Sequence, residues 1–201
     1  MSVRRLPAHA ALLLAVLLLA ACDRLYSAAR GPFQGIDVTG GDLGGEMRLT
    51  GHDGKPRTLA DFRGKVVVVI FGYTNCPDVC PAALADAAST MKRLGEDAKG
   101  VQVLFVTLDP RRDTTTLLGQ YVPAFDPSFL GLTGDAAATA RVAKDFHVYW
   151  SERAGSTAGN YTVDHSAQVF LLDKNGKVRL LMPPGTAPAA MASDLKVLLN
   201  S

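Results

Sequence analysis

Hydrophobic and polar positions change their period repeatedly along the chain. Lys65-Val-Val-Val-Val-Ile-Phe71 is apolar at consecutive positions, as expected for a central strand covered by helices on both faces. Val101-Gln-Val-Leu-Phe-Val-Thr-Leu108 predicts a second buried strand. Between them Leu84, Ala87, Ala88, Met91 and Leu94 recur at helical spacing and predict a helix over about 81–99. Further helices are predicted over 114–121, 136–146 and 189–199, with strands over 129–132, 148–151, 167–172 and 178–181. At the front of this region Glu46–Thr50 alternates, Gly51-His-Asp-Gly54 favours a turn, and Arg57–Leu59 completes a predicted hairpin. Strands alternating with helices define an α/β layered domain.

The first 21 residues follow another rule. Arg4 and Arg5 precede the apolar run Ala10–Ala21, the layout of a secretory leader. As a helix this run would span roughly 18 Å, short of the ~30 Å hydrocarbon core of a membrane. It ends in Leu19-Ala20-Ala21-Cys22, which resembles a bacterial lipobox. In such a motif the small residues fit the peptidase groove and the Cys22 thiol takes the lipid. Several acyl chains then anchor a protein stably where one does not. Asp23 follows, a residue that in enterobacterial lipoproteins favours retention at the inner membrane. Residues 22–44, with five glycines among them, read as the lipidated N-terminus and a flexible tether. The domain is then expected to occupy 45–201.

Charge narrows the partners. Without Arg4 and Arg5 the 21 Lys+Arg fall to 19, equal to the 19 Asp+Glu. A neutral chain with no basic run is a poor ligand for nucleic acid.

Of the three cysteines, assigning Cys22 to lipid leaves Cys76 and Cys80. A disulfide between them would close only a few residues and would constrain little of the unfolded chain, so chemistry explains the pair better than stapling. They lie in Phe71-Gly-Tyr-Thr-Asn-Cys-Pro-Asp-Val-Cys-Pro81, between a strand end and a helix start. Ligands of open α/β sheets sit there, and helix N-termini stabilise thiolates. Three residues separate the cysteines, one more than in the thioredoxin redox motif. On one helical turn that spacing would set Cβ atoms ~5–6 Å apart, suited to two thiolates on one metal and awkward for a disulfide. A third ligand is needed. His52 falls in the predicted hairpin turn, and His147 ends a predicted helix. His165 lies just before the strand predicted at 167–172, in a loop that a thioredoxin-like topology turns toward the cysteines. Met182 and Met191 read as core fillers, and Tyr149 and Trp150 as strand packing.

Three blocks together resemble the Sco/SenC family: Gly72–Pro81, Thr107-Leu-Asp-Pro-Arg-Arg-Asp-Thr114, and Tyr161-Thr-Val-Asp-His165 followed by Val169–Asp173. The resemblance implies a thioredoxin-like fold, with a central mixed sheet flanked by helices after the N-terminal hairpin. It implies copper as Cu(I) or Cu(II), held by Cys76, Cys80 and His165, with Asp109 nearby to orient His165 or take its proton. It also implies a metallochaperone for the dinuclear copper centre of cytochrome c oxidase, partnered with that oxidase's copper-site subunit. Another copper chaperone or a thioredoxin-like reductant would act upstream. The expected location is the periplasmic face of the bacterial inner membrane.

The competing function is a thiol-disulfide oxidoreductase using Cys76 and Cys80 as a redox-active pair on the oxidase's cysteines. The absence of proline between Asn160 and Asp173, where thioredoxins carry one, weighs against a general oxidoreductase. A peroxidase would need proline seven residues before its cysteine, where this chain has Val69.

Overall fold

The structure is a computed structural model that describes residues 31–155 and 160–201. The expected leader and Cys22 lie outside the described residues. Among those described, no helix is long and apolar enough to cross a membrane.

Among the described residues ten strands and four α-helices follow in order: β1 (Ile36–Asp37), β2 (Leu49–Gly51), β3 (Pro56–Arg57), β4 (Val66–Gly72), α1 (Val79–Leu94), β5 (Val101–Thr107), α2 (Thr115–Tyr121), β6 (Leu130–Thr133), α3 (Ala136–Asp145), β7 (Trp150–Ala154), β8 (Tyr161–His165), β9 (Val169–Leu172), β10 (Val178–Met182) and α4 (Pro188–Leu199). Eight of the strands form one mixed sheet in the order β1-β10-β9-β4-β5-β6-β2-β3. The centre is parallel, with Val66–Gly72 of β4 beside Val101–Thr107 of β5. β9 runs antiparallel to β4. Val66 to Phe71 are each no more than 3% exposed, so both faces of β4 are covered, as its unbroken apolar run requires. α1 and α4 pack together, and both contact β4. This is the thioredoxin-like α/β arrangement, and the expected hairpin is present as β2 and β3.

Four features depart from the sequence expectation. The helix predicted to about 99 stops at Leu94, because Gly95 takes φ 59° and the chain tightens into a 3-10 turn over Gly95–Gly100. Residues 34–44, read as tether, lie along the domain. Asp194, fully buried on α4, accepts the N–H groups of Gln34 and Gly35 at 2.8 Å each. Ile36 and Asp37 pair with β10, and the Gly44 N–H donates to the Asp145 carbonyl. Gly35 and Gly44 mark close approach to the domain; a Cβ on Gly35 would stand 2.4 Å from the Met182 sulfur, and one on Gly44 2.9 Å from Val178.

The other two departures concern the histidine. The strand predicted at 148–151 lies at Trp150–Ala154, and Tyr161–His165, read as a loop, forms its antiparallel partner. These two strands are a separate two-stranded sheet. Only Val163 of β8 is buried, which is why the segment lacks the apolar signature of a strand.

Candidate metal site

The loop from Gly72 leads the chain from the end of β4 to the start of α1. Cys80 sits in the first turn of α1, whereas Cys76 lies in the loop before it, its N–H donating to the Tyr73 carbonyl. The pair therefore does not share one helical face, as the spacing had suggested. Gly72 makes room for the inner sulfur: a Cβ there would lie 2.7 Å from Cys80 Sγ.

Both thiols are unbridged. Cys76 is 9% exposed and Cys80 2%. Burial pushes the Cys80 thiol well above its ordinary value, against a backbone hydrogen bond at Tyr73 that lowers it.

His165 ends β8 and turns its ring onto the cysteines. Its Nε2 is 3.3 Å from Cys80 Sγ, and its Nδ1 is 2.8 Å from the Ser166 carbonyl. The Tyr73 ring meets it edge-on at 6.1 Å between centroids. The donor atoms of Cys76, Cys80 and His165 all lie within 4.8 Å of one another. Two thiolates and an imidazole on one ion, at ~2.3 and ~2.0 Å, would stand roughly 4 Å apart, so the residues fit a metal with little movement. The three expected ligands are thus brought together.

Above them is an open cleft of ≈ 590 Å³, whose walls include Tyr73, Pro77, Val79, Tyr149 and Thr162. Tyr149 is 65% exposed at its rim, so it does not pack the strand as its neighbours suggested. Val79, between the cysteines, is 45% exposed.

Asp109 holds Arg112 and Tyr161 and makes no hydrogen bond to His165. It is 2% exposed, pairs with Arg112, and accepts the Tyr161 hydroxyl at 2.7 Å. The partner of His165 Nδ1 is the Ser166 carbonyl, so a main-chain oxygen and not Asp109 orients the ring. Arg112, Asp113 and Tyr161 lay in the quoted motifs without an assigned role. Asp113 is fully buried and accepts from the Thr74 N–H at 3.0 Å and from the Thr74 and Thr107 hydroxyls at 2.6 Å. It fixes the loop that carries Cys76.

The remaining candidates are structural. His52 Nδ1 accepts the Gly131 N–H at 3.0 Å. His147 takes φ 52° just beyond α3. Met182 and Met191 are buried in the core.

Fold and site together define a thioredoxin-like domain whose cysteine pair is completed by a histidine into a metal-binding group. A family profile described as SCO1/SenC matches residues 37–200, and the chain belongs to that family. It is 40% identical over 134 residues to the mitochondrial protein SCO2 homolog of Bos taurus, covering 66% of this chain and 50% of that protein. The chain therefore spans about half the length of that relative. Among solved structures, Bradyrhizobium japonicum ScoI with copper bound superposes with a TM-score of 0.73 at 37% identity, over 78% of this chain and 99% of that one. Yeast Sco1 with copper bound gives 0.73 at 31% identity, over 80% and 90%.

Proposed function

We propose that this chain binds copper through Cys76, Cys80 and His165 Nε2 and supplies it for assembly of the dinuclear copper centre of cytochrome c oxidase. The observation that carries this is the convergence of three donor atoms within 4.8 Å beneath an open cleft. Thiolates favour Cu(I), and an added imidazole also suits Cu(II). Binding displaces the thiol protons, including the one that burial holds on Cys80. The cleft leaves room for incoming ligands to take the ion by exchange. Membership of the family and the copper-bound relatives support the choice of metal. The partner in this reading is the copper-site subunit of the oxidase, with an upstream copper chaperone as source. A lipid on Cys22 would hold the domain at the periplasmic face of the bacterial inner membrane.

A second reading is favoured by two free thiols, one at the cleft and one beneath it. Cys76 thiolate would attack a disulfide in the copper-site subunit, releasing one target sulfur as a thiol. Cys80 would then attack the mixed disulfide, leaving Cys76–Cys80 oxidised and both target thiols reduced. A thioredoxin-like reductant would reset the pair.

Copper titration of the reduced protein tests the two, with His165→Ala and Cys76→Ser/Cys80→Ser alongside. One copper per chain is expected, with thiolate-to-copper absorption lost in the cysteine variant and altered in the histidine variant. Weak binding indifferent to His165 would remove the chaperone reading and leave the oxidoreductase.

A further inference from the structure

The three donors stand on two separate segments, and one short stretch of chain grips both. Asp113 holds the cysteine loop through Thr74. Asp109 and Arg112, on the same turn, hold the hairpin of β7 and β8 that ends in His165. That hairpin shares no ladder with the eight-stranded sheet, and an isolated two-stranded hairpin is marginal in water. Besides the short link from His165 into β9, side chains hold it in place, Tyr73 at the Val163 backbone among them.

The grip falls on Tyr161, at the end of β8 opposite His165 and roughly 13 Å along the strand at ~3.3 Å per residue. The Tyr161 hydroxyl donates to Asp109 at 2.7 Å. Its carbonyl accepts from Arg112 Nη1 at 2.9 Å. The Arg112 guanidinium lies 3.7 Å from the centroid of its ring and 5.7 Å from that of Tyr73, while Arg112 Nε donates to Asp109. A planar guanidinium can stack, pair with a carboxylate and donate to a carbonyl at once; a lysine ammonium cannot match that geometry. Arg111 adds a second cation at 4.7 Å from the Tyr161 ring. Its ion pair with Glu152 of β7 is 60% and 44% exposed, and such exposed pairs contribute little.

With copper as the ion, on the reading above, we propose that Arg112, braced by Asp109, is a positioning residue that fixes His165 relative to the cysteines through its hold on Tyr161. Arg112 touches neither the metal donors nor the incoming ligand; it acts on the strand that carries one donor. Its loss lets the strand that carries the imidazole shift and leaves the thiols where Asp113 and the start of α1 hold them. Two thiolates still serve Cu(I). Cu(II), which relies on the imidazole, loses most. The clamp thereby sets how far the site distinguishes the two oxidation states.

The test uses the full chain, reduced, in detergent, as wild type, Arg112→Gln, Arg112→Lys, Tyr161→Phe and His165→Ala. Copper(I) and copper(II) affinities are measured by competition, with the spin-resonance signal of the copper(II) form. Amide hydrogen exchange is followed in the metal-free proteins. In Arg112→Gln copper(II) affinity should fall by about 10-fold or more, the range for residues that hold a ligand in place. Copper(I) affinity should fall much less, and the spectrum should move toward that of His165→Ala. Exchange at 161–165 should accelerate while that at 66–72 stays slow. Tyr161→Phe, which keeps the ring and removes only the hydroxyl, should move each readout part of the way. Arg112→Lys should fail to restore the copper(II) signal. Unchanged exchange at 161–165 in both Arg112→Gln and Tyr161→Phe would overturn the clamp, as would equal losses of both copper states. If wild type bound no copper, the chaperone reading would fall, and the exchange measurement would still judge the clamp.

Discussion

His165 Nε2 faces Cys80 Sγ at 3.3 Å while its Nδ1 faces the Ser166 carbonyl at 2.8 Å. A carbonyl oxygen can only accept, so the neutral ring carries its proton on Nδ1. Nε2 is left to accept the Cys80 S–H or to bind metal. Isotope-labelled imidazole nitrogen spectra of the metal-free protein should show the Nδ1–H form, and copper should perturb Nε2 more strongly. A predominant Nε2–H form would contradict this orientation.

Gly72 is a packing requirement of the inner thiol. An added Cβ would lie 2.7 Å from Cys80 Sγ and 3.0 Å from the buried Phe105 ring. Gly72→Ala should cost about 1–3 kcal/mol through overpacking and weaken copper binding by displacing that sulfur. Urea unfolding and copper titration check both effects. Wild-type values in each would show that the sheet yields more easily than its packing implies.

Asp113 gives a pH signature. Burial outweighs its three accepted hydrogen bonds, and the nearby Asp109 charge adds to the rise, so its carboxyl titrates above the ordinary aspartate value. A folded value above the unfolded one means that the folded state binds the proton more readily. The resulting stability is fully present below the ordinary, unfolded value and is lost as pH rises through the higher folded value. Asp113→Asn, which stays neutral, should flatten this part of the stability profile when urea midpoints are compared across that window. An unchanged pH slope would refute it.

Asp194 fastens the segment before β2 to the domain. Asp194→Ala would leave the Gln34 and Gly35 N–H groups without their acceptor, at a cost of about 0.5–1.5 kcal/mol per lost hydrogen bond, since Gln34 is exposed and Gly35 half-buried. Limited proteolysis should then cut within 34–44 at a raised rate, with the copper spectrum unchanged. A resistant segment would mean that the pairing of Ile36 and Asp37 with β10 suffices alone.

By itself the sequence determined the layered domain and the place of its chemistry. The apolar runs at 65–71 and 101–108 announce strands buried on both faces, because burial on both faces leaves no polar alternation. Cys76 and Cys80 between a strand end and a helix start, with His165 before the next buried strand, were legible as candidate ligands. Tertiary structure decided what holds them. Tyr161 reaches Asp109 across 52 positions of sequence, and Thr74 reaches Asp113 across 39. Such polar contacts have no local period, since they depend on which loops the sheet order brings side by side. The same holds for the residues read as tether, where Gly35 and Gly44 encode close approach only once β10 and α4 are beside them. It holds also for β8, a strand fixed by its partner and by Arg112 more than by any hydrophobic face of its own.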